Sequence, residues 1–334
     1  MADVLRVLSI DGGGIRGVIP ATVLAEIETR TQARIAELFD LIAGTSTGGV
    51  IALGLVKPSS DDETRPQFAA SELVDLYEKE GHRIFARSPW HHLVALDNLL
   101  DEKYESAGIE SVLKQYFGDV PLSKAVTETL ITSYELETRD PWFFARHKAL
   151  DDPATSDFPM RFVARATSAA PTYFEPEQLT KPKPHGALVD GGVYANNPAM
   201  CAYVEAKKLH PGAEEVLVVS LGTGQHTRPI LYKEAKDWGL AHWAKPILDV
   251  VFDGVSDTVD HQMKILCRDS DEGDPRYYRY QTELNIGSDD MDNATRTNIA
   301  ALKQKAEELI EEQDASLDQL CRELTVKAAS PVGG

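Results

Sequence analysis

A short apolar strand, a run of three glycines and a helix follow one another in "VLSIDGGGIRGVIPATVLAEIE", residues 7 to 28. That succession favours folds in which strand ends and helix starts meet. Val7, Leu8 and Ile10 read as a buried strand, and Val18, Ile19, Val23, Leu24 and Ile27 recur at helical spacing. Between them Gly12, Gly13 and Gly14 free the backbone to curl and present consecutive N–H groups, to which the helix adds the positive end of its dipole. A negative oxygen is expected there. Pyrophosphate, a substrate phosphate and a transient catalytic oxyanion are the three candidates.

The pattern continues along the chain. Apolar runs at about Val4 to Ile10, Phe39 to Ala43, Leu130 to Glu135, Ala187 to Val189 and Val216 to Leu221 read as strands. The clearest helices follow Gly17, Ser46 and Asn197, so the alternation predicts an α/β fold with a largely parallel sheet. Most glycine clusters follow these strands, as "DGGG", "GTSTGG", "DGG" and "LGTG". In open α/β sheets ligands gather at the carboxyl ends of strands, so the four loops are expected around one site. "VKPSSDDETRP" reads as a surface loop, and residues 72 to 118 as a mostly helical insertion. Its "SPWHHLVALDNLL" segment, with Trp90, Leu93 and Leu96, suits a lid or lipid-facing lip, or simple packing on the sheet. Residues from about Asn293 to Val326 read as one polar amphipathic helix. With no repeat or linker to divide it, the 334-residue chain is expected to form a single domain, 1–334, with a motif-bearing core over about 5–224 and a helical part over about 240–326.

Bulk properties narrow the partners. No run approaches the roughly 18 apolar residues of a bilayer span, and "MADVLRVLSID" passes straight into the first strand, so the cytoplasm is the expected location. Cys201, Cys267 and Cys321 are scattered, which suggests neither a disulfide framework nor a zinc site. A formal charge of −19 disfavours nucleic acid and anionic membrane surfaces as partners. A lipid substrate would have to be held locally and by apolar contact.

The second motif is "FDLIAGTSTGGVIALGL", where Gly44, Ser46 and Gly48 form GxSxG between a strand and a helix. A serine on such a turn is lifted above the sheet as a nucleophile, although the pattern also serves as a plain strand-to-helix turn. A nucleophilic serine needs a base. Among the nine histidines, His82, His91 and His92 lie in the helical insertion and His185 in a loop, which leaves His226 and His261 as late candidates. Against them stands "ALVDGGVYANNP", where Asp190 closes a short apolar strand ahead of Gly191 and Gly192. A carboxylate there can share a crevice with Ser46 or can merely start a turn.

Together "DGGGIRG", "GTSTG" and "DGG", in this order and each after a strand, resemble the patatin-like phospholipase and lipid acyl hydrolase family. "ATSAAPTYFEP", residues 166 to 176, looks like the family's segment between serine and aspartate, and the resemblance covers roughly residues 5 to 224. It implies a three-layer fold with a central, mostly parallel sheet flanked by helices. It also implies a Ser–Asp dyad of Ser46 and Asp190 and an oxyanion hole from the N–H groups of Gly12, Gly13 and Gly14. Arg16, Gly44, Gly48, Gly191 and Gly192 are expected to support these turns, and the chemistry needs no metal or cofactor. The implied substrate is a lipid or phospholipid ester reached through transient contact with a membrane surface. Similar cytosolic enzymes act as membrane-degrading effectors in nucleotide-signalled bacterial immunity, so a cyclic-nucleotide activator belongs to the expectations, while no local feature marks its site.

Other residues carry two readings. Gly12, Gly14 and Gly17 also fit the dinucleotide fingerprint GxGxxG, which makes a nucleotide-binding or nucleotide-regulated protein the alternative function. That fingerprint wants an acid at the end of the second strand, whereas here Asp40 begins that strand and Asp11 sets a negative charge beside the loop. Arg16 suits bracing the glycine loop or meeting a head group. "SLGTG", Ser220 to Gly224, suits a turn lining the crevice, with Thr223 the less favoured catalytic reading. Tyr173 and Phe174, and Trp142, Phe143 and Phe144, suit an acyl channel or aromatic core.

Overall fold

A computed structural model of the chain describes residues 4–85, 104, 106–181, 186–227, 229–243, 246–267, 269 and 273–326. The "SPWHHLVALDNLL" segment, His91, His92 and His185 lie outside the described residues.

Among the described residues ten strands run in chain order: β1 (Val4–Ile10), β2 (Leu41–Thr45), β3 (Glu128–Glu135), β4 (Asp140–Ala145), β5 (Glu177–Leu179), β6 (Gly186–Asp190), β7 (Glu215–Leu221), β8 (Gln225–His226), β9 (Tyr277–Tyr280) and β10 (Glu283–Leu284). The main sheet has the order β5-β6-β3-β2-β1-β7-β9, with β4 also paired to β3. From β3 to β9 every neighbour is parallel. The β4, β6 and β5 pairings at the other edge are antiparallel.

Alternation along the parallel strands builds the layers, because successive side chains point to opposite faces. Leu8, Ile10, Ile42 and Ile131 face one core, which also contains Leu24 and Ile27 of the helix Val18–Thr31 and Leu317 and Leu320 of the helix Asp314–Thr325. Leu5, Val7, Leu41, Ala43 and Leu130 face the other, with Ala199, Ala202 and Ala206 of the helix Ala199–Leu209. Strands covered on both faces read as continuous apolar runs. The helix Thr47–Val56 is buried at all ten positions, consistent with "TGGVIALGLV" having no polar face.

The expected strands are all present, with β2 displaced by two residues. Phe39 and Asp40 precede it, and Asp40 is engaged by the backbone N–H of Arg6 at 2.8 Å. Two expectations change. The stretch 240–326 is not purely helical, since Tyr277–Tyr280 extends the main sheet beside β7. The amphipathic run near the C-terminus is two helices, Arg296–Glu312 and Asp314–Thr325, divided at Gln313. In addition, "DPWFFA" is the strand β4, which carries Trp142, Phe143 and Phe144 to the antiparallel edge.

Candidate active site

Sheet register brings the site together. Thr45, the last residue of β2, pairs with Thr132 of β3, and the next β3 residue, Ser133, pairs with Asp190. Strand β6 runs against the parallel strands, so Asp190 does not belong to the row of parallel carboxyl ends that the sequence suggested. It reaches the site because β6 approaches from the opposite direction and stops level with the end of β2.

Ser46 follows Thr45 directly, at φ 55° and ψ −125°, a conformation sparsely populated by residues with a side chain. Strain of this kind, on the order of 1–3 kcal/mol, persists only where the surroundings impose it. Here they do. A Cβ on Gly44 would stand 2.2 Å from the Gly48 carbonyl oxygen, and one on Gly48 2.1 Å from that of Ile10, so only glycine allows the strand and helix to approach this closely. The Ser46 N–H donates to Thr167 Oγ1 at 2.8 Å.

Asp190 is 1% exposed. Burial pushes its carboxyl up to about 7, opposed by the nearby Ser46 side chain and by the Gly192 backbone N–H. The Gly192 N–H lies 2.8 Å from Asp190 Oδ1. The Asp190 N–H donates to the carbonyl of Ala169 at 3.0 Å. The "ATSAAP" block therefore anchors the serine through Thr167 and the aspartate through Ala169, a role its sequence did not reveal.

The glycine loop lies across from this pair. Gly12 donates its N–H to the Asn196 carbonyl at 3.0 Å, which removes it from the expected set of three oxyanion donors. Gly13 and Gly14 line the cavity, and among the described residues neither N–H donates to a protein acceptor. Gly14 has φ 60°, and a Cβ there would fall 2.1 Å from the Met291 carbonyl oxygen. Arg16 is buried and directs Nε to the Gly13 carbonyl at 3.3 Å, which is the bracing role. Thr223 Oγ1 donates to the Gly12 carbonyl at 2.7 Å, so "LGTG" buttresses the loop from behind instead of lining the crevice. Asp11 forms a buried ion pair with Arg279 of β9 at 2.6 Å, and Arg279 also donates to Ser220 Oγ at 2.8 Å.

Ser46, Asp190, Gly13 and Gly14 line one cavity with about 750 Å3 of empty space, its open mouth included. The rest of its lining is mainly apolar, including Val50, Leu76, Leu113, Tyr173, Phe174, Phe252 and Met291. Neither lysine nor arginine appears among the described lining residues, which suits an acyl chain and not a pyrophosphate. Tyr173 and Phe174 line this cavity and belong to the buried core, while Trp142, Phe143 and Phe144 line a separate recess. No histidine lines the cavity among the described residues, and His261 is exposed on the helix Pro246–Leu266. Asn196 was missed as a site residue. Its side chain is buried, bonds Ser256 Oγ through Nδ2 at 3.0 Å, and leaves Oδ1 unpaired in the lining. The only signal in the sequence was the polar pair in "YANNP", which a loop would also contain.

Among the described residues, no group of three His, Cys, Asp or Glu could hold a metal ion, and no helix is long and apolar enough to cross a membrane.

Comparison with known proteins agrees with this arrangement at the level of family. A family model described as patatin-like phospholipase matches residues 8–203. The chain is 33% identical to patatin-like protein 2 of Arabidopsis thaliana, an alignment covering 96% of this chain and 87% of that protein. It is 32% identical to patatin-like protein 2 of Oryza sativa subsp. indica, covering 94% and 85%. Among solved structures, human GIVD cytosolic phospholipase A2 aligns over 96% of this chain and 60% of its own length, with 11% identity and a TM-score of 0.47.

Proposed function

This chain belongs to the patatin-like phospholipase family, and from that premise we propose that it is a serine lipid acyl hydrolase working through Ser46 and Asp190. One observation carries the reading: Ser46 and the buried carboxyl of Asp190 line the wall of the same apolar cavity, beside Gly13 and Gly14.

The chemistry follows from the pair. Asp190 takes the Ser46 proton as Ser46 Oγ attacks the ester carbonyl, and Gly13 and Gly14 present N–H groups to the oxyanion that forms. Collapse returns the proton to the departing alcohol or lysolipid and leaves the acyl chain on Ser46. Water then gives a proton to Asp190, attacks the acyl carbon, and frees the fatty acid as the proton passes back to Ser46. A desolvated carboxyl holds a proton far more readily than one in water, which suits an acid in the place usually given to histidine. Asp11, neutralised by Arg279, adds little negative field to the oxyanion. Described residues on both sides of position 224 form one working unit in this reading, since β9 supplies Arg279.

The reading is tested with a fluorophosphonate probe, which labels an activated serine. Folded protein is expected to carry one adduct, mapped to Ser46, and Ser46→Ala to carry none. Lipid extracts treated with wild type should gain free fatty acid and lysolipid that the Ser46→Ala protein does not produce. Labelling elsewhere, or release of fatty acid by Ser46→Ala, would remove the assignment.

A further inference from the structure

Among the described residues, eleven large hydrophobic side chains are exposed, and five of them, Ile230, Leu231, Tyr232, Ile247 and Val250, fall within one stretch of 21 residues. Tyr232 is 83% exposed. Trp238 and Trp243 meet edge to face at 5.2 Å in the same stretch, and the short helix Leu240–Trp243 packs on the helix Pro246–Leu266. That longer helix has two dissimilar sides. Phe252 is buried and lines the cavity, whereas Ile247 and Val250, about half a turn round the axis from it, face outward. One element thus forms a wall of the acyl cavity with Phe252 and exposes apolar side chains on its outer side.

We propose that residues 230–243 and 246–250 form the surface by which this protein docks on a zwitterionic or neutral lipid layer. The inference deepens the acyl hydrolase reading and rests on it for its purpose. Tyrosine and tryptophan beside exposed aliphatic side chains are the composition of segments that lie in the headgroup region of a membrane. Charge selects the kind of layer. Lys233 and Lys236 are outnumbered by Glu234, Asp237 and Asp249 among the described residues of the stretch, which therefore has no basic excess on a chain of net charge −19. Docking on anionic lipid depends on clustered lysine and arginine, which the described residues of this stretch do not supply. A lipid leaving a layer in contact with Tyr232, Ile247 and Val250 meets the helix that bears Phe252, so the distance its acyl chain travels through water is short.

The experiment separates docking from chemistry. Ser46→Ala protein is sedimented with phosphatidylcholine vesicles and with vesicles enriched in phosphatidylglycerol, alongside the same protein carrying Tyr232→Ser, Ile247→Ser and Val250→Ser. The three positions are exposed and outside the cavity lining, so the fold and turnover of a soluble short-chain ester, measured with Ser46 intact, should be unchanged. Partition onto phosphatidylcholine is expected to fall at least tenfold in the triple variant, with a blue shift of tryptophan emission on binding only in its parent. Vesicles enriched in phosphatidylglycerol should bind the parent more weakly, and added salt should narrow the gap. Equal partition of parent and triple variant overturns the proposal. So does stronger binding to the anionic vesicles, or a dimer in sedimentation velocity that the triple substitution dissolves. Failure of wild type to turn over the soluble ester counts instead against the hydrolase reading.

Discussion

Asp190→Asn is expected to reduce ester turnover by roughly 10^2–10^4-fold, the range for loss of a general base, and to make the protein more stable at pH 8. Both effects come from one fact. Burial raises this carboxyl from its ordinary 3.8 to about 7, so its charged form is disfavoured in the folded protein. A displacement of that size corresponds to about 4 kcal/mol, and the amide is expected to recover about half of it, because Gly192 loses a charged acceptor. The sign is set by which state holds the proton. A carboxyl raised on folding favours the native state fully below 3.8, and that contribution is lost as pH climbs through about 7. The advantage of Asp190→Asn should therefore be absent near pH 4, grow across that window and level off above it, as urea denaturation at stepped pH will show. Wild-type turnover of a soluble ester should follow the opposite limb, rising with pH up to about 7 and flat beyond. Loss of turnover without any pH-dependent gain in stability would mean that Asp190 is not the buried base described above. Retained turnover, with loss on His226→Ala or His261→Ala instead, would move the enzyme to a histidine triad.

Arg279→Met is expected to destabilise the fold by about 3–5 kcal/mol at pH 8, because it leaves a buried carboxylate without its counter-charge. Asp11 is 2% exposed, its carboxyl is pushed up by burial, and Arg279 is the main influence holding it down. The loss should shrink toward acid pH as Asp11 takes up a proton. Asp11→Asn combined with Arg279→Met should recover much of the stability, so that the two changes are strongly non-additive in a double-mutant cycle. Additive losses would show that the pair is not coupled as its 2.6 Å contact implies. Because Asp11 adjoins Gly12, the single variant should also lower turnover by loosening the oxyanion loop, while the double variant regains part of it.

Which of these features could be read without coordinates depends on how local their cause is. Strand β1, the glycine loop and the helix Val18–Thr31 were legible because apolar periodicity and glycine act within a few residues. Ser46 was legible for a similar reason, since the crowding that requires Gly44 comes from Gly48 within one turn, although Gly48 itself is required by the carbonyl of Ile10 on β1. Pairing between distant segments left no comparable trace. That Gly12 gives its N–H to Asn196, that Thr223 buttresses the loop, and that Thr167 and Ala169 tie serine to aspartate are contacts between segments 21 to 211 positions apart.

The chain's order of residues was enough to determine an α/β sheet, a strained serine turn and an acid at a strand end, since each follows from local sterics and side-chain period. Tertiary structure alone decided that β6 runs antiparallel and stops level with β2, that β9 supplies the cation for Asp11, and that Phe252 and Met291 help enclose the cavity. Register and burial are properties of packed neighbours far apart in sequence. The proton affinity of Asp190 depends on that burial, so the chemistry of the site became readable only once the chain was folded.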